Sequence, residues 1–211
     1  MNANSMECAI RNGHNMRQMD LIDSNFSHIE GTCCYCSDDA ARQIRQTVRS
    51  LPLNAAHFLG SGDCHYLSLF WAELIREPFT LVLFDNHPDD QPCAFGSGIL
   101  SCGSWVAEAR KLPFCKAVRW FDGHGTWQGD EIPDGLPVYL SVDLDVLSEE
   151  CIETDWDQGE VSVQALQEAV CETISGRRVI GADICGGPSA ESGNSDFARS
   201  LELAQILISF L

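Results

Sequence analysis

Basic residues are scarce in this chain, and that scarcity disfavours several kinds of partner. The 211 residues contain 13 Lys and Arg against 31 Asp and Glu, a formal net charge of −18. Such an acidic surface repels nucleic-acid phosphates and anionic lipid headgroups. The sequence also lacks any apolar run close to the roughly 20 residues that a membrane-spanning helix needs. We therefore expect neither a nucleic-acid partner nor membrane insertion.

The sequence shows neither a regular cysteine framework nor a secretory signal. The 11 cysteines are an odd number and are scattered along the chain, so the pattern does not indicate a disulfide framework. The chain begins with a polar stretch rather than the apolar core of a signal peptide. We predict reduced thiols, a cytoplasmic protein and a partly mobile segment 1–18, and we leave homo-oligomerisation open.

No internal repeat, low-complexity segment or domain boundary interrupts the pattern of short apolar runs and amphipathic segments. Strands are predicted at 19–23, 56–59, 79–84, 117–121, 138–142 and 178–182. Helices are predicted at 37–49, beginning at Ser37, at 66–76, at 104–111, at 162–175, between a capping Ser162 and Gly176, and after a capping Ser195. This alternation predicts one domain over 1–211, a three-layer α/β/α fold with a mostly parallel sheet.

Acidic and imidazole side chains follow three of the predicted strands. Segment 60–65 reads GSGDCH, segment 85–89 reads DNHPD, and segment 143–145 reads DLD. Open α/β sheets bind ligands at the carboxyl ends of their strands, and alternate residues there can project to one side. We therefore expect one site to collect His65, Asp85, His87, Asp89, Asp143 and Asp145.

This set of side chains suits two divalent cations. Four carboxylates balance two double charges, and the imidazoles favour Mn²⁺ or a similar transition metal. Two cations about 3.5–4 Å apart can share a hydroxide and make it a nucleophile near neutral pH. One such motif alone is commonly a solvated loop. Three of them, each after a separate apolar run, predict a binuclear metal site.

The three motifs resemble those of the arginase/agmatinase (ureohydrolase) family, and the chain looks like a short, divergent member. The family's Gly-Gly-Asp-His, Asp-Ala-His-x-Asp and Ser-x-Asp-x-Asp match segments 62–65 (with one extra residue), 85–89 and 141–145. Order and rough spacing agree from about residue 56 to 147. The resemblance implies an arginase-like fold, two Mn²⁺ ions and hydrolysis of a guanidinium or amidine carbon.

The resemblance also implies an assignment of ligands. Two ligand sets share Asp85 and Asp143: the first adds His65 and Asp89, and the second adds His87 and Asp145. Asp89 would in addition hydrogen-bond the bridging hydroxide and orient it.

The chain departs from the family at the residue that shuttles protons. The family has a His-Gly pair in the loop after the second motif, and here Cys102 precedes Gly103 in that place. A thiol can move a proton, although its free pKa is about 8.5. His124, just after a predicted strand, is the other candidate, against the simpler interpretation of a surface-loop histidine.

A second departure concerns substrate. The family's Glu after the last strand, which pairs with the guanidinium, is absent, and Asp183 is a displaced candidate for that contact. Trp156 and Asp157 lie in the acidic loop after the third motif and could form a wall for a cationic substrate. A packed loop aromatic is the competing interpretation of Trp156.

Three cysteines, Cys33, Cys34 and Cys36, stand close together before a predicted helix. A zinc site would need a fourth ligand at a suitable spacing, and none is obvious in the sequence. The pattern favours buried thiols at the start of the helix.

Three functions follow from these observations. The first is a binuclear Mn²⁺-dependent hydrolase of a C–N bond in a small guanidino, amidino or related compound, with the metal-bridging hydroxide as nucleophile. The alternative is a deacetylase-type amide hydrolase on the same site. The third is a non-catalytic metal-binding relative.

Overall fold

The computed structural model describes residues 19–93, 98–188 and 196–211, where strands and helices alternate. The strands of this part are β1 (Leu21–Asp23), β2 (Tyr35–Cys36), β3 (Ala56–Phe58), β4 (Phe79–Phe84), β5 (Leu100–Ser101), β6 (Cys115–Phe121), β7 (Trp127–Gly129), β8 (Val138–Asp143) and β9 (Val179–Cys185). The helices are α1 (Asp38–Val48), α2 (Leu67–Ala72), α3 (Trp105–Ala109), α4 (Val163–Ile174) and α5 (Asp196–Ile208).

Seven of these strands form one sheet in the order β1-β3-β9-β8-β4-β6-β7. All neighbours are parallel except β7, which runs antiparallel to β6 at the edge. The predicted mostly parallel sheet is therefore confirmed. Because β3, β9, β8 and β4 are adjacent, their carboxyl ends lie side by side.

Helices cover both faces of the sheet, as predicted. Side chains of a strand alternate between faces, and in β4 Val82 and Phe84 join one buried apolar cluster whereas Leu81 and Leu83 join another. The first cluster contains α4 and α5, and the second contains α1, α2 and α3. The sheet is thus the middle of three layers.

Helix-capping residues read from the sequence recur in the structure. Ser37 accepts a hydrogen bond from the N–H of Ala40, and Ser162 accepts one from Ala165. Gly176, two residues past α4, has φ of +70°, the left-handed conformation that suits glycine. The predicted cap Ser195 and the segment 1–18 lie outside the described residues.

Three short strands were not predicted. β2 pairs antiparallel with β5, and β7 pairs antiparallel with β6 at the edge of the large sheet. Strands of two or three residues have too few positions to show a period. The last strand is also longer than predicted, because β9 extends to Cys185.

The cysteines are mostly free, with one exception. Nine described cysteines are free thiols, whereas Cys171 is disulfide-bonded, so the prediction of reduced thiols is wrong at that position. In the described ranges, no helix combines the length and apolarity needed to cross a bilayer.

Candidate metal centre

A cavity of about 400 Å³ opens at the carboxyl ends of the central strands. It lies where parallel sheets usually bind ligands. All six predicted metal-binding side chains reach it. Its described lining is Cys34, Tyr35, Gly62, His65, Asp85, His87, Pro88, Asp89, Gln91, Ser101, Cys102, Gly103, Asp143, Asp145 and Trp156.

His65 is the centre of one group of possible metal ligands. Its Nδ1 lies 3.1 Å from Asp85 Oδ2, 3.0 Å from Asp89 Oδ2 and 3.3 Å from Asp143 Oδ2. An octahedral cation with ligand distances of about 2.1 Å places neighbouring ligand atoms about 3.0 Å apart. The observed spacing therefore suits one divalent cation among these atoms.

His87 is the centre of a second group of possible metal ligands. Its Nδ1 lies 2.9 Å from Asp145 Oδ2 and 3.7 Å from Asp85 Oδ1. Asp85 thus presents one carboxylate oxygen to each group. Backbone N–H groups hold the other oxygens in place, since Asn86 donates to Asp145 and Asp145 donates to Asp143. The arrangement suits a second cation beside the first.

Electrostatics of the two groups favour positive charge. Asp85 Oδ2 is buried and accepts no hydrogen bond in the described structure, although His65 Nδ1 is 3.1 Å away. Burial, followed by neighbouring carboxylates, raises the pKa of Asp143 and Asp145 to about 6. Burial likewise raises the pKa of Asp85 and Asp89. Divalent cations would relieve both the repulsion and the unpaired oxygen, so the residues fit a metal centre.

Asp89 is held in an unusual backbone conformation. Its φ is +47°, a region that residues other than glycine rarely adopt. The indole N–H of Trp105 donates to Asp89 Oδ2 over 2.8 Å, and Val106 N–H donates to the Asp89 carbonyl over 3.0 Å. Strain of this kind persists where surrounding contacts impose it, commonly at functional sites. Trp105 was not identified from the sequence.

Cys185 was also missed by sequence reasoning. β8 and β9 place it opposite Asp143, and its thiol lies 3.1 Å from Asp143 Oδ2. Together with His65 these residues form another group that could hold a metal ion. The next residue, Gly186, has φ of +90°, and a Cβ there would lie 1.9 Å from Asp143 Oδ1. Position 186 therefore has no space for a glutamate.

Asp183 does not contact the cavity, which does not fit its predicted role in substrate binding. It lies within β9 and is fully buried. The hydroxyls of Ser68 and Ser141 donate to Oδ1, and that of Tyr139 donates to Oδ2. Ser141 Oγ is in turn 2.9 Å from His65 Nε2. Asp183 therefore lies beneath the cavity and is linked to His65 through Ser141.

The remaining predicted residues divide into two groups. Cys102 and Trp156 line the cavity, and the indole N–H of Trp156 donates to Asp63 over 3.1 Å. His124 and Asp157 are exposed and lie outside the described lining. His124 has Glu160 3.9 Å away, and the Asp157 carbonyl accepts from Asn86. Their predicted contacts with substrate do not fit these positions.

Comparison by sequence identifies one relative without a known function. No protein-family model matches the chain. An uncharacterized protein of Thermotoga maritima is 37% identical over 144 residues, which are 62% of this chain and 57% of that protein. The chain thus matches little more than half of the relative's length.

Comparison of structures identifies the fold. A hypothetical agmatinase from Burkholderia thailandensis aligns with a TM-score of 0.60 at 19% identity, over 83% of this chain and 66% of that one. Proclavaminate amidino hydrolase of Streptomyces clavuligerus gives 0.57 at 18% identity, over 82% and 71%. Arginase of Medicago truncatula gives 0.58 at 14% identity, over 82% and 65%. The chain shares one fold with these three proteins.

Proposed function

We propose that the chain is a metal-dependent hydrolase of a C–N bond. It has the arginase/agmatinase-like ureohydrolase fold and a cavity lined by carboxylates and histidines at its strand ends. The observation that carries the proposal is the position of His65 Nδ1, 3.0–3.3 Å from three buried carboxylates. The proposed cofactor is two Mn²⁺ ions. His65 and Asp89 would hold the first, His87 and Asp145 the second, and Asp85 and Asp143 both.

Two cations in these positions would lower the pKa of water and supply a hydroxide nucleophile near neutral pH. The chain's own residues would orient it. Trp105 holds Asp89 Oδ2, so the Asp89 carboxylate is fixed before substrate arrives. In the overall reaction the hydroxyl of water joins the substrate carbon, the C–N bond breaks, and the departing nitrogen takes the second hydrogen.

The cavity's size and outer wall indicate a small substrate. About 400 Å³ lies near the lower end of ordinary small-molecule sites. Tyr35 and Trp156 stand in its lining, and both are partly exposed. Aromatic faces attract cations such as guanidinium and amidinium groups. A small guanidino or amidino compound therefore fits the proposal best.

One observation favours an amide as the alternative substrate. The carboxylates in the described lining are Asp85, Asp89, Asp143 and Asp145, all in the proposed metal set. Asp183 is occupied below the floor, and position 186 cannot hold a glutamate. The described lining thus has no spare carboxylate to pair with a guanidinium, and a neutral N-acyl compound would need none.

A substrate panel on Mn²⁺-loaded protein tests the proposal. Urea or ammonia release from guanidino and amidino compounds supports the first form, and acetate release from N-acetyl compounds supports the second. The matched control is Asp89→Asn, which should retain the fold and lose turnover. Metal-loaded protein that releases none of these products from any compound would contradict the hydrolase function.

A further inference from the structure

Two thiols and a carboxylate meet at the mouth of the cavity, outside the carboxylate–histidine centre. Cys33 Sγ lies 4.0 Å from Cys34 Sγ. Asp63 lies between them, with Oδ2 3.6 Å from Cys33 Sγ and Oδ1 3.3 Å from Cys34 Sγ. We call these three residues the mouth cluster. Cys36, which the sequence grouped with the two thiols, is buried and has Ser37 O within 3.7 Å.

The spacing of the mouth cluster matches a tetrahedral cation. Zinc binds thiolates at about 2.3 Å and carboxylates at about 2.0–2.2 Å, so tetrahedral angles place two sulfurs about 3.8 Å apart. The same geometry places sulfur and oxygen about 3.6 Å apart. The observed distances of 4.0, 3.6 and 3.3 Å, the last two to different oxygens of Asp63, are close to these values. One ligand atom from each of the three residues can be chosen so that all lie within 4.8 Å of one another.

Residues outside the mouth cluster hold its members in place. Cys34 has φ of +56°, which is uncommon for a residue with a Cβ. Its carbonyl accepts from Cys102 N–H over 3.0 Å, beside the pairing of β2 with β5. On the other side the Trp156 indole N–H fixes Asp63 Oδ1.

The extra residue in the first motif explains why Asp63 is available. Gly62–Cys64 forms a 3₁₀ turn, with the Asp63 N–H bonded to Ser61 Oγ. Cys64 stands between Asp63 and His65, so the aspartate reaches the mouth while the histidine reaches the floor. The insertion thus separates two side chains that would otherwise be adjacent.

We propose that Cys33, Cys34 and Asp63 bind one thiophilic divalent cation of the Zn²⁺ class at the mouth of the cavity. Thiolate sulfur favours zinc over the hard cations that carboxylate sites favour. Three protein ligands leave a fourth position open, and Cys34 lines the cavity, so this position is available to a water molecule or a ligand group there. The site is independent of the proposed hydrolase, because it shares no ligand with the carboxylate–histidine centre, which we call the inner centre.

Cadmium and cobalt test this site directly, because cations bonded to thiolates give an ultraviolet charge-transfer absorption that carboxylate and imidazole ligands do not. Reduced full-length protein is titrated with each metal. In Cys185→Ser protein, whose carboxylate–histidine site has no thiol from Cys185, we expect one thiolate-bound cation per chain. In that background the signal should be lost on adding Cys33→Ser/Cys34→Ser and weakened on adding Asp63→Asn, while adding Asp85→Asn should retain it.

Two controls make the result decisive. Cys93 is a single thiol 3.7 Å from Glu108 Oε1, so Cys93→Ser removes a thiol beside a carboxylate and should leave the signal unchanged. Cys185→Ser identifies any absorption that comes from the inner centre. No thiolate signal in the wild type, or one that persists in the Cys33/Cys34 variant and vanishes in Cys185→Ser, would overturn the proposal. Thermal unfolding of each variant checks that it is folded.

Discussion

The Oγ of Ser141 lies 2.9 Å from Nε2 of His65. When Ser141 donates its single hydrogen to Asp183 over 2.7 Å, its oxygen accepts the hydrogen of His65 Nε2. In that tautomer a neutral His65 carries no hydrogen on Nδ1, and that nitrogen presents a lone pair to three carboxylates. Either a proton or a cation must occupy the space between them. Ser141 and Asp183 would thus prepare His65 as a ligand of the proposed metal.

Ser141→Ala tests this relationship. Supporting hydrogen bonds of metal ligands usually account for about 10–100-fold in metal affinity, and we expect a loss in that range, measured by metal titration. Ser24 is the matched control, since its hydroxyl is 2.9 Å from Nδ1 of the buried His57, away from the cavity. Ser24→Ala should also destabilise the fold, yet leave metal affinity unchanged. Equal affinities in the two variants would refute the supporting role.

Loss of a bridging carboxylate should remove the stabilisation that metal provides. A ligand that binds only the native state at 100 times its Kd adds about 2.7 kcal/mol of stability. Wild-type protein should melt at a higher temperature with Mn²⁺, whereas Asp85→Asn and Asp143→Asn should not. The control is Asp122→Asn, another aspartate at a strand end, with 9% of its surface exposed. A full Mn²⁺ shift in Asp143→Asn would show that the ligands are wrongly assigned.

Metal binding should weaken in acid. Burial raises the pKa of Asp143 and Asp145 to about 6, so protons compete with the metal below that pH. Because their unfolded pKa is near 3.9, these groups stabilise metal-free protein fully below about pH 4, and this contribution is lost as the pH rises through about 6. The Mn²⁺-induced rise in melting temperature should therefore be small at about pH 5 and large at about pH 7.5. Equal rises would contradict the ligand set.

Cys185 should influence which metal is bound. Its thiol lies 3.1 Å from Asp143 Oδ2, and sulfur favours zinc and cobalt over manganese. Cys185→Ser should lower affinity for Zn²⁺ and Co²⁺ more than affinity for Mn²⁺, measured by competition titration. An unchanged ratio of affinities would leave Cys185 a packing residue.

The two predicted proton carriers should behave differently. Cys102 lines the cavity, and burial, followed by the nearby Asp89, raises its pKa to about 11. It therefore retains a proton at neutral pH that it can give to a departing nitrogen. Cys102→Ala should lower turnover on an active substrate by about 10²-fold, the lower end for general acid catalysis. His124→Ala should have no effect, and both variants should retain their metal. A loss of turnover in His124→Ala alone would reverse the assignment.

Local sequence was sufficient for the elements that position the site. β4 was predicted with its observed bounds, 79–84, because six residues in a row, five of them apolar, between breaking signals are typical of a buried parallel strand. The caps Ser37 and Ser162 were recognisable because capping depends on residues only three positions away. The six side chains around the cavity were found because their motifs stand at, or a few residues past, the carboxyl ends of three strands.

Only the tertiary structure decided the residues that act through distant partners. Cys185 meets Asp143 through the pairing of β8 with β9, and Asp63 meets Cys33 and Cys34 from a different element. Likewise, three hydroxyls donate to the Asp183 carboxylate. One of them, that of Ser141, also contacts His65, so Asp183 acts on His65 through Ser141. The sequence by itself determined which strand ends carry carboxylate and imidazole, since that depends on local pattern. Which side chains face the cavity, and which hold others in place, depends on packing between segments far apart in the chain.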